Sequence, residues 1–102
     1  MIREVEEQAK TIEALCQRFH VHRLELFGSA ASGGFNPQSS DLDFLVEFQD
    51  LRPGAYADAY YGLLEESQRI FRRNVDLVVA RSVGNPYLLE SIRRSRALLY
   101  AA

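Results

Sequence analysis

Cysteine is scarce in this 102-residue sequence, an excess of positive charge is lacking, and long apolar runs are absent. The single cysteine, Cys16, cannot form an internal disulfide, so a disulfide scaffold is excluded and a reducing cytoplasm is the expected location. No apolar run approaches the roughly 20 residues that cross a bilayer. The first residues are too acidic for a signal peptide, and we therefore expect no association with membranes.

The charge balance argues against a protein that grips nucleic acid. The sequence has 12 Lys and Arg residues against 14 Asp and Glu residues, a formal net charge of −2. Binding a phosphate backbone requires a clustered excess of Lys and Arg. The basic cluster Arg93, Arg94 and Arg96 is typical of a solvated face. We expect no strong nucleic-acid binding by this chain alone.

Length and composition together indicate a single domain over residues 1–102. The sequence is 47 % hydrophobic and 25 % charged, as in ordinary globular domains. A chain of this size buries roughly two thirds of its unfolded surface, which is enough for one core. Any chemistry must therefore fit one small sheet and a few helices.

The spacing of apolar residues predicts three helices and three strands. An amphipathic helix of about five turns is predicted over residues 2–19, followed by strands at 21–27, 42–48 and 75–79, and by helices at about 55–71 and from Asn85 onward. Residues 30–40 form a Gly- and Ser-rich loop with a possible short helical turn at its start. The segment 97–100 either extends the last helix or adds an edge strand. The order α-β-(loop)-β-α-β-α predicts an α/β (α+β) fold with helices packed on one small sheet.

Three of the five aspartates begin or interrupt apolar strands, where a carboxylate is costly unless a positive charge compensates it. Asp41 and Asp43 point to the same face, about 7 Å apart at Cα. Asp76 can join them only if its strand lies beside theirs. Such all-oxygen ligand sets suit Mg²⁺ or Mn²⁺, and two such ions about 4 Å apart are a common device for attack at phosphorus.

Gly28 and Ser29 directly follow the first predicted strand. Glycine lets the backbone approach a ligand closely, and a serine hydroxyl can hydrogen-bond to a phosphate oxygen. Neither this pair nor Asp-x-Asp is specific by itself. Only the combination of the two motifs is informative.

The full pattern resembles the minimal nucleotidyltransferases of the DNA polymerase β superfamily. It consists of Phe27-Gly28-Ser29, then Asp41-Leu42-Asp43 after an interval of 11 residues, then Val75-Asp76-Leu77. The resemblance covers nearly the whole chain. The segments Tyr60–Glu66 and Asn85–Tyr87 are also similar to the small members that are encoded beside a HEPN-domain partner.

The resemblance implies a nucleotidyltransferase fold and a Mg²⁺-dependent transfer of NMP, with AMP from ATP the expected case, onto an acceptor hydroxyl. Asp41 and Asp43 would hold the metal that carries the triphosphate, and all three aspartates would share a second metal. Asp76 would orient or deprotonate the hydroxyl, while Gly28 and Ser29 would hold the outgoing phosphates. The implied acceptor is a tyrosine of a HEPN toxin, which makes this chain an antitoxin and part of a homo- or hetero-oligomer.

Two departures from the family pattern leave an alternative open. Many relatives carry an arginine soon after Gly-Ser, where this chain has Ala30-Ala31-Ser32, and a glycine in the turn that here reads Arg72-Arg73-Asn74. A catalytically weak or inactive antitoxin could instead neutralise its partner by stoichiometric binding through the helix faces around Tyr61 and Tyr87. Modification of tRNA ends or of an antibiotic is a third reading, which requires a partner to bring the acceptor.

Overall fold

Helices and strands alternate along most of the chain. The structure is a computed structural model that describes residues 2–32, 36, 41–94 and 96–102. In chain order its elements are α1 (Arg3–Glu7), α2 (Ala9–Arg18), β1 (Val21–Phe27), α3 (Ser29–Ser32), β2 (Leu42–Phe48), α4 (Pro53–Phe71), β3 (Val75–Val79), a 3₁₀ turn (Ala80–Ser82), α5 (Pro86–Arg94) and β4 (Ala97–Ala101). The predicted turn after Gly28 is thus confirmed as α3, while the rest of that loop, at 33–35 and 37–40, lies outside the described residues.

The strands form one mixed sheet in the order β3-β2-β1-β4. Strand β1 pairs antiparallel with β2 and with β4, whereas β2 and β3 are parallel and joined by α4. A parallel neighbour requires such a crossover. The predicted α/β (α+β) class is confirmed, and segment 97–101 is an edge strand rather than a helical extension.

One face of the sheet carries the hydrophobic core. Alternate residues of β2 (Leu42, Phe44 and Val46) are buried in the main apolar cluster together with Leu63 of α4. The ring of Phe44 meets that of Phe71 edge-on, with centroids 6.3 Å apart. Because strand side chains alternate between faces, the remaining residues of β2 lie on the opposite face.

The prediction of one continuous N-terminal helix over residues 2–19 is wrong. The chain leaves helical geometry at Gln8, with φ −100° and ψ 17°, and its N–H donates to the carbonyl of Val5 at 3.1 Å. Val5 in α1 and Ile12 in α2 nevertheless both reach the core. The period of the apolar residues shows which side of the chain faces the core. It does not reveal an interruption of the helix when no Gly or Pro marks the place.

Cys16 is a core residue, as predicted. Its side chain is fully buried, and burial raises the pKa of its thiol to about 12. A thiol in this state is protonated at neutral pH and is not a nucleophile.

Within the described residues, none of the helices is both long enough and apolar enough to span a membrane.

Helix α4 ends on a residue in the left-handed conformation. Arg72 has φ +53° and ψ 41°, and its N–H donates to the carbonyl of Gln68 at 2.8 Å. Glycine is the usual residue at such a helix end, because it has no Cβ to strain. The neighbouring Arg73 has another role, since its guanidinium pairs with Glu4 at 2.9 Å and its side chain is only 16 % exposed.

We expect opposite effects from glycine at these two adjacent positions. Arg72→Gly removes the strain of a side chain in the left-handed conformation, although glycine also increases the conformational entropy of the unfolded chain and so offsets part of the gain. The net effect should be a rise of about 0.5–1 kcal/mol in the free energy of unfolding. Arg73→Gly loses the pairing with Glu4 and should lower it by about 1–2 kcal/mol. Urea denaturation of both variants measures the difference. Equal destabilisation by both would contradict this account of the helix end.

Candidate active site

Neighbouring strands bring two of the predicted carboxylates together. Asp43 of β2 and Asp76 of β3 are direct partners in the parallel pair, and Phe27 of β1 is the partner of Asp43 on its other side. Adjacent strands lie about 4.8 Å apart, and residues in register share a face of the sheet. The condition on which the third carboxylate depended is therefore met, and all of these side chains lie on the face opposite the core.

The carboxylates interact through their charges. Asp43 is half-buried, whereas Asp41, immediately before β2, and Asp76 are exposed. Burial raises the pKa of Asp43, and the negative charges of Asp76 and then Asp41 raise it further. The three carboxylates thus form one electrostatic cluster in which the half-buried Asp43 experiences the repulsion of the other two.

Gly28 brings the end of β1 against this cluster. It has φ +71°, and a Cβ built on it would collide with Oδ2 of Asp43 and lie 3.4 Å from its Cγ. Ser29 follows as the first residue of α3. The glycine assigned from the sequence to close approach of a ligand is thus required, first of all, to accommodate the carboxylate of Asp43.

The donor chemistry of this cluster fits a divalent cation. Carboxylate oxygens are the ligands that Mg²⁺ and Mn²⁺ prefer, and a cation would offset the repulsion at Asp43. Within the described part of the chain, however, no group of three acidic, His or Cys side chains is already arranged as a metal site.

A charged cluster that the sequence reasoning missed lies further along the same face. Glu25 of β1 is buried, with Nε of Arg23 and Nη1 of Arg96 each 2.9 Å from one of its carboxylate oxygens. Arg93, Arg94 and Arg96 are all exposed, as predicted, but the ion pair of Arg96 with Glu25 was not foreseen. The available signal was Glu25 itself, a charge between Leu24 and Leu26 in an apolar strand, which needs a partner.

A cavity lies elsewhere on the described part of the chain. It has a volume of about 290 Å³ and is lined by the C-terminal parts of β2 and β3 together with Tyr56 and Arg81. The guanidinium of Arg81 lies 4.8 Å from the centre of the Tyr56 ring. The aspartates stand at the opposite, N-terminal ends of these strands, so this cavity is separate from the acidic cluster.

Comparison with known proteins decides the family. Residues 9–99 match the model of the nucleotidyltransferase domain family. The chain belongs to this family. It is a nucleotidyltransferase, and the predicted nucleotidyltransferase fold is confirmed.

Individual relatives agree with this assignment. A protein of Methanocaldococcus jannaschii, named as a candidate protein adenylyltransferase, is 34 % identical over 91 residues, which cover 89 % of this chain and 87 % of the relative. A structure described as a candidate minimal nucleotidyltransferase superposes with a TM-score of 0.77 and 28 % identity, covering 91 % of this chain and 90 % of the other.

A further solved structure shares the fold. A chain in the complex of a tri-AMPylated Shewanella oneidensis HEPN toxin with an MNT antitoxin superposes with a TM-score of 0.65 and 20 % identity. The match covers 96 % of this nucleotidyltransferase and 73 % of that chain.

A double-mutant cycle tests the contact between Gly28 and Asp43. Gly28→Ala should lower the free energy of unfolding by about 1–2 kcal/mol because alanine is strained in the left-handed conformation. The clash of the new methyl with the carboxylate of Asp43 should lower it further. Asp43→Ala removes Cγ and Oδ2 and leaves only Cβ, at an ordinary 3.6 Å from the new methyl. Gly28→Ala should therefore cost about 1 kcal/mol less in the Asp43→Ala background. Additive effects in urea denaturation would show that the two residues do not interact.

The repulsion at Asp43 predicts that its neutral isostere is more stable in metal-free buffer. Because the folded-state pKa is raised, deprotonation of Asp43 destabilises the folded protein. With EDTA present, Asp43→Asn should melt at a higher temperature than the wild type at pH 7, and at the same temperature at pH 3, below the ordinary pKa of an aspartate at about 4. Asp50→Asn, at an exposed position, is the matched control and should show no such pH-dependent gain.

Proposed function

We propose that this nucleotidyltransferase transfers AMP from ATP to a tyrosine hydroxyl of a HEPN toxin and thereby acts as an antitoxin. The observation that carries the proposal is the pairing of Asp43 with Asp76 in register, beside Asp41 and the Gly28-Ser29 turn. The name of the Methanocaldococcus jannaschii relative supports adenylyl transfer. The toxin–antitoxin complex with the same fold supports the kind of partner.

The proposed reaction is an in-line displacement at the α-phosphorus of ATP. The acceptor oxygen forms a bond to this phosphorus, the bond to the oxygen that bridges to the β-phosphate breaks, and pyrophosphate leaves with its electron pair. Asp76 accepts the proton of the attacking hydroxyl, for which its exposed position beside Asp43 suits it. Positioning and charge neutralisation account for most of the catalysis in such reactions.

The remaining residues bind and orient the substrate. Asp41 and Asp43 would hold Mg²⁺, or Mn²⁺, together with the triphosphate, and Asp76 would share a second ion. When bound, the metal supplies positive charge to the phosphates and lowers the pKa of the attacking hydroxyl. Ser29 donates a hydrogen bond to a phosphate oxygen, and Gly28 leaves space for the phosphates to approach the backbone.

The rival function is neutralisation by binding alone. It is favoured by the exposed rings of Tyr61, 60 % accessible on α4, and Tyr87, 85 % accessible on α5. Tyr60, in contrast, packs on the core and its hydroxyl donates to the carbonyl of Leu77 at 3.0 Å. The two adjacent tyrosines therefore differ in exposure, and the exposed rings of Tyr61 and Tyr87 offer a surface for a partner.

Transfer of radiolabel from α-labelled ATP to a co-purified HEPN protein tests the proposal. With Mg²⁺ the wild type should label a tyrosine of the partner, and Asp43→Asn or Asp76→Asn should lower the rate by about a hundredfold or more. Asp50→Asn is the charge-matched control and should leave the rate unchanged. If the toxin is neutralised without being labelled, the binding alternative replaces the proposal. If Asp43→Asn labels the partner at the wild-type rate, the carboxylates have no part in the mechanism.

A further inference from the structure

Positive charge is missing from the segments that form the acidic cluster. No Lys or Arg occurs between Arg23 and Arg52, a span that includes the Gly28-Ser29 turn and all of β2, and β3 contains none. A nucleoside triphosphate is strongly anionic, and such ligands are usually met by guanidinium or ammonium groups as well as by metal. The cation for the phosphates must therefore come from elsewhere in the fold.

The edge strand brings an arginine to the correct end of the sheet. In the antiparallel β1–β4 pair, Leu26 is the partner of Ala97. Continuing this register by one residue places Arg96 beside Phe27, which is itself the partner of Asp43. At about 4.8 Å per strand, the Cα atoms of Arg96 and Asp43 are about 10 Å apart, at the sheet end where β1 runs into Gly28.

The buried carboxylate of Glu25 holds this arginine on the face that carries Asp43. Glu25 lies two residues before Phe27 in β1, so the two side chains share a face. Its own side chain is only 4 % exposed, whereas 34 % of Arg23 and 38 % of Arg96 remain accessible. Arg23 also has Glu47 of β2 as its register partner, so the accessible part of Arg96 is the positive charge of this cluster that a ligand can engage.

From this arrangement we infer that Arg96, oriented by Glu25, binds the β- and γ-phosphates of the nucleoside triphosphate. Arg23 lies four residues before Phe27 in β1, further from the acidic cluster than Arg96, and serves to neutralise Glu25. Glu25 is a positioning residue, because it acts through the guanidinium and not on the substrate. The inference rests on the proposed function only in requiring a triphosphate whose α-phosphorus lies at Asp43 and Asp76.

Binding of two nucleotides that differ in their outer phosphates tests the inference without any acceptor protein. Calorimetry with Mg²⁺ compares the β,γ-imido analogue of ATP with AMP. Arg96→Gln should weaken binding of the analogue about tenfold to a hundredfold, the range for loss of a charge-assisted hydrogen bond, and change AMP binding less than about twofold. Arg94→Gln is the matched control: its side chain is 79 % exposed on α5, and it should bind both nucleotides as the wild type does.

Two further variants separate phosphate binding from a structural role. Arg96→Lys keeps a cation beside Glu25, so it should fold, but it loses the planar fork and should bind the analogue about three- to tenfold more weakly. Glu25→Gln keeps both arginines but removes the carboxylate charge that orients them. It should therefore weaken binding of the analogue more than binding of AMP.

The outcomes distinguish this inference from the proposed function. Wild-type affinity of Arg96→Gln for the analogue, or an equal loss for AMP, would overturn the role of Arg96 and leave the proposed reaction intact. Absence of binding of either nucleotide to the wild type would overturn both.

Discussion

The register between β2 and β3 is the constraint on which the site depends. Parallel pairing makes Asp43 and Asp76 nearest neighbours on one face of the sheet. The next residues of the two strands, Phe44 and Leu77, point to the opposite face and are buried in the core. A slip of one residue would move every side chain to the other face, so the apolar packing that folds the sheet also fixes the carboxylates. Packing of the core offsets the unfavourable repulsion between these carboxylates. Because the repulsion remains in the folded protein, the cluster is suited to bind a cation.

The face opposite the core is divided by charge. Carboxylates occupy its β2–β3 side, and the pair of arginines around Glu25 occupies its β1–β4 side, with Phe27 between them. A formal net charge of −2 for the chain therefore does not show that the arginines and the three aspartates lie on different strands of this face. Such a face suits a ligand that carries its own cation at one end and bare phosphate oxygens at the other, which is the charge distribution of a metal-bound nucleoside triphosphate.

The elements that sequence reasoning located correctly are those whose apolar pattern is locally complete. Strands β1, β2 and β3 have the predicted bounds, because each is closed by turn residues and has one buried face. The break at Gln8 was missed because the apolar stripe continues through it. Asp41, Asp43 and Asp76 could be proposed from their spacing in the sequence, but their proximity depended on a strand order that the sequence left open.

Arg96 shows why the rest of the site could not be predicted. Its partner Glu25 lies 71 residues earlier, and the two meet only because Ala97–Ala101 forms a strand against β1. That segment is apolar and short, a composition that suits a helix end and an edge strand equally well. Had it extended α5, Arg96 would have shared the solvated surface of Arg94, and Glu25 would have kept a single arginine. The choice between helix and strand for five residues therefore determines whether the face that carries Asp43 has a second cation.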